Sequence, residues 1–315
     1  VLRPRTSQRR IVLSTSIAES SVTIDAVRIV VDAGLARIPR FDPRSGMTRL
    51  ETTRVSRASA DQRRGRAGRT ASGVCVRLWD AATDAALPAR TVPEVLDSDL
   101  APLALELACA GVVDPAALRW MDAPSAGAIA QARTLLRSLG ALDASHRATP
   151  HGRAMAALGI APRLAHLVLR GSERGRARLA CEVAALLAER DVLRREAADE
   201  DADVRTRVEA LRGRHRGSVD GARLERVRAE ARALQRALGT GRDAHDDSDA
   251  LDDVGLLVAL AYPDRIAKRR PGAAQRFLLR NGRGARFSPS QPMGDAPFLA
   301  IADLDGNPAE SRVWL

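Results

Sequence analysis

The run Gln62–Arg63–Arg64–Gly65–Arg66–Ala67–Gly68–Arg69 holds an amide and several guanidinium groups within eight residues. Gln62 and Arg66 are one helical turn apart, so both can face one point. Arg69 follows three residues later, as a helix through this stretch would be ending. The glycines at 65 and 68 carry no Cβ and allow the backbone to approach another surface closely. A guanidinium is a planar fork of donors that keeps its charge, and it meets phosphate oxygens in pairs. Such a set suits a phosphoryl group in transfer, whose charge spreads over its equatorial oxygens, where an arginine contributes a factor of roughly 10³–10⁵ in rate. The competing reading is an RG-rich stretch that binds RNA through flexible contacts, which explains neither the residue order nor the α/β texture around it.

That texture runs over residues 9–79. Ile11–Val12–Leu13 is a short apolar run closing in Ser14–Thr15–Ser16, and a second run over residues 27–31 closes in Asp32–Ala33–Gly34. Continuous β-branched runs suit strands covered on both faces, as in a parallel sheet. Phe41–Asp42–Pro43–Arg44–Ser45–Gly46 reads as a turn. Its sequels at residues 47–50 and 52–56 are expected to pair with each other as a projecting hairpin. Residues 58–66 suit a helix, and residues 73–79 another strand.

From about residue 93 helical patterns take over: residues 99–107, and residues 125–139 with Gly140 as the cap. A short turn-rich stretch between Leu142 and Thr149 follows. Residues 179–187 are apolar nearly all round, which predicts an interior helix. Residues 203–238 mix Arg and Glu with Leu or Val at helical spacing, a solvated helical face, and residues 239–249 read as a polar linker. After Tyr262 short strands are expected at residues 276–280, 297–302 and 311–314.

The net charge of +11 points to a polyanionic partner. Between Arg37 and Arg69 ten arginines face three acids (Asp42, Glu51, Asp61), so about +7 of the excess sits in a tenth of the chain. A coding bias toward arginine accounts for the scarcity of lysine but not for this clustering. Lys268 is the only lysine, and it lies in no G-x-x-x-x-G-K-[ST] phosphate loop. Self-contained GTPase or kinase chemistry is thereby excluded. Cys75, Cys109 and Cys181 are far apart within apolar runs and read as buried free thiols suited to a reducing cytosol. The five histidines form no ligand cluster, so no metal is assigned. No apolar run is long enough for a membrane span, and a cytoplasmic location without membrane contact is expected. The opening Val1 and closing Leu315 read as cut ends of a longer protein.

The octet resembles motif VI of superfamily 2 helicases in the Gln-Arg-x-Gly-Arg-x-Gly-Arg form of DEAH-box proteins. Residues 14–24, Ser-Thr-Ser-Ile-Ala-Glu-Ser-Ser-Val-Thr-Ile, resemble their motif V. The intervening wording, above all Phe41–Asp42–Pro43–Arg44–Ser45–Gly46–Met47, is most similar to the bacterial HrpB-type helicases. The specific match covers about residues 9–80, with looser wording at Val92–Pro93–Glu94, Leu139–Gly140–Ala141–Leu142 and Ala188–Glu189–Arg190–Asp191.

The resemblance implies an ATP-dependent RNA helicase, acting on RNA and possibly DNA. ATP and Mg2+ would be held mainly by a first RecA-like domain that this chain lacks, and the chain alone would be inactive. Arg66 and Arg69 would be the fingers on the γ-phosphate, with Gln62 placing the attacking water or the phosphate. Thr23 and Asp25 would stand on the ribose side of the nucleotide. Thr15 and Ser16 would touch the RNA backbone, where hydroxyls bond phosphate without reading a base. The hairpin with Arg44, Arg49, Arg54 and Arg57 would part strands and grip phosphates. The family usually has Asn where Ser16 stands and Thr where Ser20 stands, which keeps short hydrogen-bonding side chains. Arg64 replaces the usual Ala and is expected to face solvent. The implied fold class is multidomain α/β plus α. It comprises the later part of a second RecA-like parallel-sheet domain (residues 1–82), a winged helix (83–150), a helical ratchet-like bundle (151–250) and the start of a small β domain (251–315). The alternative is a basic winged-helix RNA-binding adaptor without catalytic activity.

Overall fold

The computed structural model describes residues 11–20, 27–42, 47–69, 71–194, 201–239, 250–272, 274–305, 307 and 310–315. The chain packs as two units, residues 1–99 with 120–125, and residues 100–119 with 126–315.

In the first unit a short helix α1 (Ile17–Ser20) precedes β1 (Ile29–Asp32), β2 (Leu35–Asp42), β3 (Met47–Arg54), α2 (Arg57–Arg64), β4 (Val74–Arg77), α3 (Ala81–Ala86) and α4 (Glu94–Asp97). β1 and β4 pair in parallel, Ile29 with Val74 through Asp32 with Arg77. The expectation that this sheet is covered on both faces is corrected. Ile29, Val31, Val74 and Val76 are exposed on one face, because the period of two sends alternate residues outward and nothing described lies over them. Ile11–Leu13 forms no strand. Ile11 is 84% and Leu13 94% exposed, and no described strand offers their backbone a partner. The hairpin is also longer than the sequence suggested. Residues 47–54 are one continuous strand pairing antiparallel with β2, from Leu35 opposite Arg54 to Asp42 opposite Met47, so residues 47–50 and 52–56 do not pair with each other. No turn falls between residues 47 and 54. A small core of Val55, Ala60 and Leu87, with Ala36 and Trp79 against it, supports this unit.

The second unit is mainly helical: α5 (Ala101–Cys109), α6 (Ala126–Ser138), α7 (Pro150–Ala157), α8 (Pro162–Glu173), α9 (Ala177–Ala188), α10 (Val204–Leu211), α11 (Gly221–Ala237) and α12 (Val254–Ala261). Gly140 follows α6 with φ +70°, the left-handed residue expected there. Leu142 bridges Ala148 across the turn-rich stretch. Thr149 then caps α7, its hydroxyl accepting from the Gly152 amide at 3.0 Å, with Pro150 in the first turn. Asp203 and Asp220 cap α10 and α11 in the same way. Helix α9 is the interior helix foreseen: residues 179–185 are almost wholly buried among α8, α10, α11 and α12. The charged stretch at residues 203–238 is two helices broken near Gly213, not one.

Five short strands complete the unit: β5 (Ile266–Arg269), β6 (Arg276–Leu279), β7 (Gly284–Arg286), β8 (Phe298–Ala300) and β9 (Glu310–Arg312), in the order β8-β5-β6-β7-β9. β5 and β7 escaped the sequence reading, which had expected β-like texture there without placing them. They are too short and too rich in Arg, Lys, Gly and Ala to show alternation.

Gly171 marks a close contact between helices of the core. A Cβ built there would stand 2.5 Å from the Ala180 methyl on α9 and 2.9 Å from Leu257 on α12. Gly171→Val is therefore expected to lower stability by roughly 1–3 kcal/mol through overpacking. Gly127→Ala, in α6 with open space around it, should be neutral or stabilising by up to about 1 kcal/mol. Guanidinium denaturation midpoints of the two variants check the contrast.

Candidate functional site

The octet singled out by its chemistry closes α2 and makes the turn behind it. Ser56 starts the helix, its hydroxyl accepting from the Ser59 amide at 3.1 Å. The helix ends at Arg64, two residues earlier than the pattern suggested, and residues 65–68 form turns before β4. Within this chain, Gly65 and Gly68 lie against no close neighbour. Gly65 continues in helical conformation, and around Gly68 a Cβ would meet nothing within 4 Å. The close approach is at Gly73, where a Cβ would lie 2.1 Å from the Ala67 carbonyl oxygen. The missing side chain at 73 is what lets the arginine-bearing turn lie against the start of β4.

Two arginines of the octet reach back to α1. Arg63 donates from Nε to a Glu19 carboxylate oxygen at 2.7 Å, and from Nη1 to Asp32 Oδ1 at 2.9 Å and to the Leu35 carbonyl at 3.1 Å. The Ser59 hydroxyl donates to the other Glu19 oxygen at 2.9 Å. Asp32 Oδ1 also accepts from the Gly34 amide at 2.9 Å. The Asp32 side chain is 1% exposed and that of Arg63 17%. Burial works against the Arg63 charge, but hydrogen bonds and charge from Glu19 and Asp32 outweigh it and hold its pKa above the ordinary guanidinium value. One guanidinium thus joins α1, the end of β1, the start of β2 and α2.

Arg66 is half-buried and donates from Nη2 to the Glu19 backbone carbonyl. Motif V and motif VI wording, separate in sequence, are therefore in direct contact. Gln62 and Arg69 are exposed, as are Thr15 and Ser16 immediately before α1. Arg64 is 63% exposed beside Asp61, as expected of the position where the motif tolerates a different residue. Thr23, Asp25 and Arg44 lie outside the described residues, as does the side chain of Arg49, whose backbone on β3 stands opposite Arg40. Arg40 pairs with Glu51 at 3.1 Å and with Asp97 at 3.8 Å. Arg54 and Arg57 are exposed.

The sequence reading missed Arg63 as the organising residue, and with it Glu19, Ser59 and Asp32. The usable signal was two isolated acids, one inside a Ser/Thr-rich segment and one at a strand end, upstream of an arginine-rich helix end. The donor set of the turn, guanidinium and amide, fits an anion. Among the described residues no three His, Cys, Asp or Glu side chains stand together to hold a metal ion. Burial and Asp32 raise the pKa of Cys75, and the buried Cys181 thiol is pushed up to about 12. Neither is poised as a nucleophile.

The sequence profile described as Helicase conserved C-terminal domain matches residues 2–71. The chain is 38% identical over 296 residues to the ATP-dependent RNA helicase HrpB of Escherichia coli K12, covering 94% of this chain and 34% of that protein. To the ATP-dependent RNA helicase HrpA of the same organism it is 37% identical over 204 residues, 62% of this chain and 16% of HrpA. It spans about a third or less of these relatives' lengths. The crystal structure of the E. coli DExH-box NTPase HrpB superposes with a TM-score of 0.79 at 35% identity, over 100% of this chain and 36% of that one. No helix among the described residues is long and apolar enough to cross a membrane.

Arg63→Ala removes the counter-charge of a carboxylate that is almost wholly buried. The expected loss is roughly 3–5 kcal/mol, toward the lower figure because Arg63 keeps an edge in solvent. The Arg63→Ala/Glu19→Gln cycle should show coupling of about 0.5–3 kcal/mol. Hydrogen exchange of β1 and α2 measures both, and strictly additive single effects would refute the shared network.

Proposed function

This chain belongs to the DEAH-box helicases, and we propose that it forms the arginine-bearing side of the ATP site in an ATP-dependent RNA helicase. The observation that carries the reading is the seating of Arg66 on the carbonyl of Glu19. It sets the turn holding Arg66 and Arg69 directly against the segment holding Thr15 and Ser16. A phosphate-sensing element and a strand-gripping element then share one rigid joint.

In this reading the triphosphate and its Mg2+ are presented by a second, phosphate-loop-bearing RecA-like domain, whose chemistry is the in-line displacement at the γ-phosphorus by water. The residues of this chain supply charge and position. Arg66 and Arg69 donate to the γ-phosphoryl oxygens as their charge builds, an electrostatic contribution made without covalent chemistry. Gln62 orients the attacking water. Thr23 and Asp25 face the ribose. Thr15 and Ser16 donate to phosphates of the RNA, or of DNA, without selecting a base. Cleft closure on ATP draws the arginine turn toward the phosphates, and the Arg63 and Arg66 contacts carry that displacement to α1. Opening after hydrolysis returns it, so that grip and nucleotide state alternate. The hairpin of β2 and β3, with Arg44, Arg49 and Arg54, parts the strands, and Arg57 at the start of α2 grips phosphate with them. The rest of the chain is assigned as a winged helix over residues 83–150, a ratchet-like bundle over 151–250 and a β domain from 251, working in the cytoplasm.

In the full-length protein, Arg66→Ala or Arg69→Ala should lower RNA-stimulated ATP turnover by roughly 10³–10⁵-fold, while RNA affinity stays within a few-fold of wild type. Near wild-type turnover in either variant rules out the finger assignment and leaves a non-catalytic RNA-binding adaptor. The 315-residue chain alone should release no phosphate from ATP above background in a coupled assay, since half the site is supplied elsewhere.

A further inference from the structure

We propose that Ser59 is a positioning residue for the arginine turn: its hydroxyl, acting through Glu19, sets the direction in which Arg66 points. The proposal rests on the reading of Arg66 as a finger on the γ-phosphate, and it adds to that site a residue outside the octet.

The contacts run outward from α2. The start of that helix is tied to the segment before α4. The Arg57 amide donates to the Pro88 carbonyl at 2.8 Å and the Ala58 amide to the Ala89 carbonyl at 3.2 Å, and the Ser56 and Thr91 hydroxyls lie 3.1 Å apart. Helix α2 is thus anchored independently of α1. Ser59 and Arg63 stand one turn apart on it and share a face, and both reach Glu19 on α1. The Ser59 hydroxyl donates to Oε2 of Glu19 at 2.9 Å, while Arg63 Nε donates to Oε1 at 2.7 Å. Just past the helix, the Arg66 amide donates to the Arg63 carbonyl at 3.1 Å, which places the Arg66 backbone. Its guanidinium is then directed by donation from Nη2 to the Glu19 backbone carbonyl.

The hydroxyl matters because α1 is so short. It has four residues, and helices below about 12 residues do not hold themselves together in isolation. Where the Glu19 carbonyl stands therefore depends on what grips the Glu19 side chain. The last torsion of a glutamate is broad, so a grip on Oε1 alone leaves the carboxylate free to turn. A donor on Oε2 stops that turn. Arg63 has no freedom to compensate, since the same guanidinium is committed to Asp32 at 2.9 Å and to the Leu35 carbonyl at 3.1 Å. The Glu19 side chain is 14% exposed, so water competes poorly for the oxygen that Ser59 serves. The consequence falls on one kinetic step. A finger meets charge that builds in the transition state, and its misdirection costs rate without costing ground-state affinity.

In the full-length protein, Ser59→Ala should lower kcat for RNA-stimulated ATP hydrolysis roughly 10- to 100-fold. KM for ATP and RNA affinity should not change, the pattern of an interaction made only in the transition state. Ser59→Thr keeps the hydroxyl and should recover most of the turnover. Were the position merely one that needs a small side chain, the order would reverse, with Ala tolerated and Thr not. Ser59→Cys, close in shape but a weak donor, should lose turnover as Ser59→Ala does, and it carries the test should Ser59→Ala fail to fold. Added to Arg66→Ala, Ser59→Ala should cost nothing further in single turnovers with enzyme in excess, because a seat has no effect once its occupant is gone. Wild-type kcat in Ser59→Ala or Ser59→Cys, no recovery in Ser59→Thr, a raised KM in place of a lowered kcat, or full addition to Arg66→Ala would each overturn the proposal. Near wild-type turnover in Arg66→Ala overturns the finger reading and this proposal together. An inactive Arg66→Ala beside a normal Ser59→Ala overturns this proposal alone.

Discussion

The first unit is organised by the Arg63 guanidinium, held between Glu19 and an almost wholly buried Asp32. Its other cohesive resources are slight. Among the described residues the parallel ladder has two strands, one of its faces is open to solvent, and one small apolar cluster gathers Val55, Ala60 and Leu87. Apolar burial is non-directional and a cluster of that size cannot by itself fix where α1 sits. A bidentate-capable fork with carboxylates on two different elements can, since guanidinium and carboxylate geometry tolerates little rotation. The cost of dehydrating Asp32 makes the arrangement close to all-or-none, because losing the partner leaves an uncompensated charge inside.

The second unit solves the same problem with the opposite means. Its helices bury a continuous aliphatic core in which Leu167, Val168, Leu179, Val183, Val208 and Leu257 are all but inaccessible. Two of its buried arginines are paired with carboxylates. Arg207, 2% exposed, is held by Asp191 at 2.6 Å and Asp201 at 3.3 Å. Arg212 meets Glu182 at 2.8 Å with both side chains 7% exposed. Such pairs add little net stability, but they penalise any register of α9, α10 and α11 that would separate them. The residues that tie this unit together are therefore distinct in kind from those that tie the first.

What was readable in the sequence follows from this division. Helices with strong apolar periodicity or explicit stops, such as α9 and α6 with its Gly140, were placed closely, because the information is local. The octet was readable because its chemistry is written in residue type and spacing. The hairpin was misplaced because a strand of eight residues with no interior turn signal looks, from composition, like two shorter strands either side of Glu51. β5 and β7 were not resolved because four residues of Ile-Ala-Lys-Arg or three of Gly-Ala-Arg carry too few positions to display a period of two. The Arg63 network was invisible for a different reason. Its hydrogen bonds to Glu19 and Asp32 join residues 31 to 44 positions apart along the chain, and nothing in the sequence says which of ten clustered arginines turns inward.

One residue type therefore serves two ends here. Arginine outnumbers acid throughout the region from 37 to 69, and charge counting treats its members alike. The structure sorts them by partner. Arg63 is held by carboxylates of its own unit, and Arg40 by Glu51 and Asp97. Arg66 is seated on a backbone carbonyl, that of Glu19. In the proposed role a side chain that meets an incoming triphosphate is oriented beforehand, and the Glu19 carbonyl contributes to that orientation. The acid of the same residue, engaged with Arg63, is what keeps that carbonyl in place.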